Sequence, residues 1–223
     1  MGAAIGQSLP VAVGVMISPL PIVAVVLMLT SGKARANAVA FLLGWFVAVG
    51  GVALVVALLA GSAAPDSGGP AEWVAWVKIV LGLLLLFVAV RQWRGRPRGD
   101  VEPPAPRWMA AIDSFTPVKA LGLAVLLGAV NPKNLLLAVS GGAAIGSAAG
   151  GDVAVSITAA VVFALVASLG VATPVVIYVS MGTRAAALLD GLKSWLIHNN
   201  AVVMAVLLLV IGAKMIGDGI SAL

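Results

Sequence analysis

Apolar residues run along this chain in long unbroken stretches, roughly 4 to 30, 37 to 61, 73 to 90, 120 to 148, 153 to 180 and 196 to 217, separated by short polar connections. A helix needs about 20 such residues to cross about 30 Å of hydrocarbon. The stretches lack the alternation of barrel strands and are rich in Ala and Leu as well as Val, so each reads as a helix. The expected fold is an all-α integral membrane protein of six transmembrane helices, a single membrane domain over residues 1–223. Composition agrees: 62% of the 223 residues are hydrophobic and 9% charged, against roughly 45–50% and 25% in soluble domains. The N-terminus has no basic leader region and stays uncharged up to Lys33, which reads as a retained span and not a cleaved signal peptide.

Charge orients the spans. Every Lys and Arg except Lys78, Lys133 and Lys214 follows the first, third or fifth stretch: Lys33 and Arg35, then Arg91, Arg94, Arg96, Arg98, Arg107 and Lys119, then Arg184 and Lys193. The opposite connections carry Asp66, Glu72, Asp152 and Asp218. The positive-inside rule then puts the basic connections in the cytoplasm and both termini outside. Trp73 and Trp76 fall near the outer interface and Trp93, Trp108 and Trp195 near the inner one, as anchors do. The net charge of +5 therefore reports topology, and no nucleic-acid partner is expected. Lys78 and Lys214 lie close enough to span ends to snorkel outward or pair locally.

Residues 91–117 form a cytoplasmic linker rich in Pro and Arg, which divides the chain into residues 1–90 and 118–223. Within it Trp108, Ile112 and Phe115 recur at helical spacing, predicting a short amphipathic helix on the inner membrane surface. Arg91, Arg94, Arg96 and Arg98 either set topology or meet anionic lipid head groups. Each half holds three spans, an odd number, so two related halves would lie upside down relative to each other, as two inverted-topology three-helix repeats. Ser18-Pro19-Leu20-Pro21 interrupts the first span near its middle and Asn131-Pro132-Lys133-Asn134 the fourth. A proline inside a helix removes an N–H and displaces a carbonyl four residues back. In hydrocarbon such groups must find protein, water or ligand, so helices 1 and 4 broken near the midplane would face a common polar cavity.

Lys133 is the most informative residue. A lysine near a helix centre costs about 2.5–3.5 kcal/mol on the insertion scale, and it lies too deep to snorkel easily. No Asp or Glu lies at that depth in any stretch, so its partner is backbone carbonyls, Asn131, Asn134, Ser18, water or an anionic ligand. The same lack of acids argues against a metal site. With no cysteine and one histidine, His198, no catalytic residue, metal or cofactor is expected, and the chain does not read as an enzyme. The substrate-binding candidates are Ser18, Pro19, Pro21, Asn131, Pro132, Lys133 and Asn134. Gln7, Ser168 and Thr173 are further pathway candidates, although Ser and Thr in membrane helices often bond to their own backbone.

These features together resemble the actinobacterial GAP family, the sulfolipid and peptidoglycolipid addressing proteins, which look like members of the lysine-exporter superfamily of small six-span transporters. Asn131 to Asn134 is the most specific part of the resemblance, which covers essentially the whole chain. It implies export of a lipid or envelope glycolipid across the bacterial inner membrane, in concert with envelope-lipid synthesis or export proteins. The acids of cation-exporting relatives are missing here, which leaves an anionic or amphiphilic substrate. The expected function is a secondary transporter or flippase moving an anionic lipid, glycolipid or small anionic metabolite by alternating access. The alternatives are a non-conducting scaffold that recruits envelope-lipid machinery, and an amino-acid exporter. Membrane lipids are the expected partners, and the many small residues would also permit a homodimer.

Overall fold

Hydrocarbon supplies no water to backbone groups, so a spanning segment must close its hydrogen bonds internally, as a helix does. The computed structural model describes residues 1–62, 72–96, 109 and 111–223, and no strand occurs among them. Helix α1 (Gly2–Met16) is followed by α2 (Pro19–Leu29), α3 (Ala34–Ser62) and α4 (Glu72–Arg94). A 3-10 turn at Ile112–Ser114 precedes α5 (Pro117–Val125), which runs into a π-helical turn, Leu126–Val130. Then come α6 (Pro132–Ala149), α7 (Val153–Met181) and α8 (Ala185–Ile220). Four of these, α3, α4, α7 and α8, are each long and apolar enough to cross a membrane. The pair α1–α2 and the pair Pro117–Val130 with α6 pass the same test together, bent at their breaks by 52° and 64°. The protein is membrane-embedded and all-helical among the described residues, with four to six candidate spans.

Small residues decide how the helices pack. Gly142 and Gly146 of α6 press on the carbonyls of Ala53 and Ala57 in α3, and Gly61 meets Gly151 just beyond α6. Earlier in the same pairing, Gly44 lies against Leu121 and Ala124, and Gly128 against Trp45, Ala48 and Val49. So α3 runs parallel to both halves of the α5–α6 pair. It crosses α7 in the opposite sense: Gly50 rests on Ala164, and the Trp45 indole Nε1 donates to the Ala167 carbonyl at 3.3 Å. Likewise α4 and α8 are antiparallel, with Gly82 against Gly212 and Ala75 against Gly219. Backbones approach this closely only where side chains are small. Large aliphatics such as Leu43, Val47 and Leu59 on α3 and Leu165 and Leu169 on α7 point outward, as a surface facing acyl chains requires.

Some boundaries differ from the sequence reading. The helix expected from residue 196 begins at Ala185, because Ala185, Leu189 and Leu196 form a buried apolar face along this stretch, with the Asp190–Lys193 pair at 2.7 Å adding a small i,i+3 contribution. At the other end of the linker, α4 continues through Arg91 to Arg94, where arginines meet the negative end of the helix dipole. Arg98, Arg107 and Trp108, and with them most of the linker and of the expected amphipathic helix, lie outside the described residues. At its described end, Ile112 is buried and the Phe115 carbonyl accepts a hydrogen bond from Asn37 Nδ2 at 3.0 Å, tying the turn to the start of α3.

Candidate functional site

The two breaks are built alike. A residue before proline is pushed from helical toward extended backbone, and Ser18 (φ −64°, ψ 114°) and Asn131 (φ −61°, ψ 120°) adopt nearly the same conformation. In each case the proline becomes the first residue of the next helix, where its missing N–H costs nothing. Proline alone does not make the break: Pro10 and Pro174 sit inside continuous helices. Near Pro174 the Thr173 hydroxyl donates to the Leu169 carbonyl at 2.7 Å, a local bond that leaves the helix intact.

Both breaks lie beside the middle of a long helix. The carbonyl of Met16, the last residue of α1, is packed against Gly170 near the middle of the 29-residue α7. Gly128, just before the second break, touches Trp45, Ala48 and Val49 near the middle of the 29-residue α3. Trp45 links the two regions, since it also donates to Ala167, three residues before Gly170. Gly128 touches α3 at Trp45, Ala48 and Val49, and Gly142 touches it at Ala53 and Val56. Asn131, Pro132, Lys133 and Asn134 lie between these two contacts.

The two asparagines satisfy the broken backbone. Asn131 N–H donates to the Leu126 carbonyl at 2.8 Å, closing the π-helical turn, and its side-chain Oδ1 accepts from Lys133 N–H at 3.1 Å. Asn134, 1% exposed, donates from Nδ2 to the Leu127 carbonyl at 2.8 Å, while its Oδ1 is buried without a partner. Both amides were candidate partners for the lysine. Their described bonds go to backbone instead. Lys133 itself is 8% exposed, and among the described residues its ammonium makes no hydrogen bond or ion pair. Its place in the first turn of α6 also sets it against the positive end of the helix dipole. A lysine largely enclosed by protein beside that end, its ammonium unpaired among the described residues, is a site short of negative charge.

Other candidates fall elsewhere. Ser18 is buried and makes no cap bond from its side chain; Pro19 and Pro21 are buried in the first turn of α2. Ser168 is buried on α7 beside Ala167 and Gly170, and its hydroxyl lacks a partner. Gln7 and Thr173 are exposed on the outer faces of their helices. Arg91 and Arg94 occupy the last turn of α4, and Arg96 follows it, stacked on the Trp93 ring 4.0 Å from its centroid.

Two features escaped the sequence reading. Trp45 stands mid-span, away from either interface, and a buried indole needs a partner; that depth was the available signal. Lys78 turns inward instead of snorkelling: it is 7% exposed and donates to Ser147 Oγ of α6 at 2.9 Å. Lys214, by contrast, pairs locally with Asp218.

Cavities open at opposite ends of the α3–α7 crossing. One of about 440 Å³ lies where α2 and α7 end, lined by Leu29, Thr30, Arg35, Tyr178 and Leu189. Another of about 320 Å³ lies where α3 ends and α7 begins, lined by Leu58, Ser62, Gly151, Val153 and Ser156. A family model described as Sap, sulfolipid-1-addressing protein, matches residues 9–221. No curated protein and no solved structure matches the chain.

Proposed function

We propose a function from one premise: the chain belongs to the Sap, sulfolipid-1-addressing protein family. On that premise it is a secondary transporter or flippase that exports an anionic lipid, glycolipid or small anionic metabolite across the bacterial inner membrane by alternating access. The observation that carries this reading is Lys133, a residue 8% exposed in the first turn of α6 whose ammonium has no partner among the described residues. A phosphate, sulfate or carboxylate would supply the missing charge, and helix N-termini favour such groups. The family description names a lipid, and an amphiphile meets both the cationic site and its apolar surroundings.

Six spans in two inverted repeats fit the geometry. A re-entrant hairpin must reverse direction, whereas the bends of 52° and 64° leave each pair advancing the same way. Matched angles at Ser18 and Asn131, two central helices of equal length, and a cavity at each end of their crossing all follow from such a repeat. In transporters of this kind one repeat rocks against the other around a fixed midplane site. Both termini then lie outside, and the cavity lined by Arg35 is the cytoplasmic entrance. The proposal includes no catalytic step, and envelope-lipid synthesis or export proteins are its expected partners.

Mass spectrometry of envelope lipids and secreted solutes tests this in a deletion strain complemented with wild type or Lys133→Ala. The expected result is one anionic species retained by both the deletion and the variant strain and exported by wild type. Equal rescue by a normally inserted Lys133→Ala would refute the assigned site and turn attention to a scaffold acting through the arginine-rich linker.

A further inference from the structure

At the basic end of α4, alanines open a notch in the lipid-facing surface. Ala89 and Ala205 are buried and form its floor, while Val90, Trp93, Val206 and Leu209, each about half exposed, form its walls. The groove, about 330 Å³, runs between α4 and α8 and is closed at one end by Arg94. Arg91, three residues back, is exposed on the neighbouring flank of α4, outside the groove's lining. Arg96 is held at the rim by its stack on Trp93 and by a 2.7 Å bond from its guanidinium to the Trp93 carbonyl. Among the described residues none of these three arginines forms an ion pair.

We infer that this groove is a binding site for an anionic phospholipid of the membrane, one acyl chain in the notch and the phosphate on Arg94. An apolar crevice in a membrane surface is filled by lipid chains in any case. What selects the occupant is charge: guanidiniums that form no ion pair among the described residues gather where the groove meets the interface, and guanidinium binds phosphate oxygens through paired donors. Trp93, amphipathic and at the same level, suits the head-group boundary. The site is separate from Lys133 and does not depend on the transport reading.

Thermal unfolding of the detergent-solubilised protein, titrated with phosphatidylglycerol, phosphatidylcholine or free glycerol phosphate, tests the inference. Wild type is expected to be stabilised saturably by phosphatidylglycerol, more weakly by phosphatidylcholine and not by glycerol phosphate. Arg94→Gln should lose roughly fivefold in the preference for the anionic lipid, about what one cationic side chain contributes at an anionic surface. Val206→Trp, at an outward-facing position, should fill the groove and abolish the preference while leaving the core untouched. Wild-type selectivity in either variant overturns the site, and so does stabilisation by glycerol phosphate alone, which would mean that no chain is docked.

Discussion

Lys133 and Asn134 are neighbours in one motif with opposite consequences for stability. Asn134 gives its amide to the Leu127 carbonyl in a buried setting, so Asn134→Ala leaves that acceptor unsatisfied and should cost about 1–3 kcal/mol. Lys133 has no partner to lose among the described residues, and Lys133→Met keeps its bulk while removing a charge that opposes the helix dipole. Thermal unfolding in detergent should therefore show Asn134→Ala melting lower than wild type and Lys133→Met melting at the same temperature or higher. A large drop for Lys133→Met would make the lysine a structural element and weaken its role as a substrate site. The lysine was legible in the sequence because a charge inside an apolar run must be explained. The work of the asparagines was not, since either amide suited the lysine as well as the backbone. Nor was the inward turn of Lys78, which is decided by Ser147, on a helix distant in sequence.

At the scale of helices, contact between α3 and α6 rests on positions where a side chain cannot fit. A Cβ at Gly146 would run into the Ala57 carbonyl, whereas one at Gly122 would meet nothing. Gly146→Val should therefore push α6 off α3 and cost about 1–3 kcal/mol, the usual penalty of overpacking. By contrast, Gly122→Ala should be neutral or stabilising by up to about 1 kcal/mol through helix propensity. Chemical or thermal unfolding of the two variants checks the ordering. Equal effects would mean that the close approach is not part of the folded state. The breaks themselves were readable, because proline after a polar residue inside an apolar stretch has few outcomes. Which glycines touch was not, for all sit in similar apolar surroundings and only the partner helix tells Gly146 from Gly122. The early start of α8 was hidden as well: Asp190, Gly191 and Lys193 look like a loop until Ala185, Leu189 and Leu196 are seen to form one buried face.

For the whole molecule the number of membrane crossings is directly measurable, because the chain has no cysteine. Single cysteines can be placed at Ala3, Thr30, Ser62 and Ser221, all exposed, and probed in intact cells with a membrane-impermeant maleimide. If the α1–α2 pair is one bent span, Ala3→Cys and Thr30→Cys must lie on opposite sides. With the arginine-bearing connections inside, Ala3→Cys, Ser62→Cys and Ser221→Cys should label in intact cells, and Thr30→Cys only after permeabilisation. Ala3→Cys and Thr30→Cys labelling together would make the first pair a re-entrant hairpin and remove the inverted repeat. Labelling of Thr30→Cys alone would keep six spans but turn the molecule over. The cavity containing Arg35 would then open outward, and the cytoplasmic entrance would be the cavity lined by Ser62 and Ser156. The positive-inside rule opposes that arrangement because it would leave the arginines of α4 outside. The side from which each cavity is reached in this proposal therefore stands on the same charges that orient the helices.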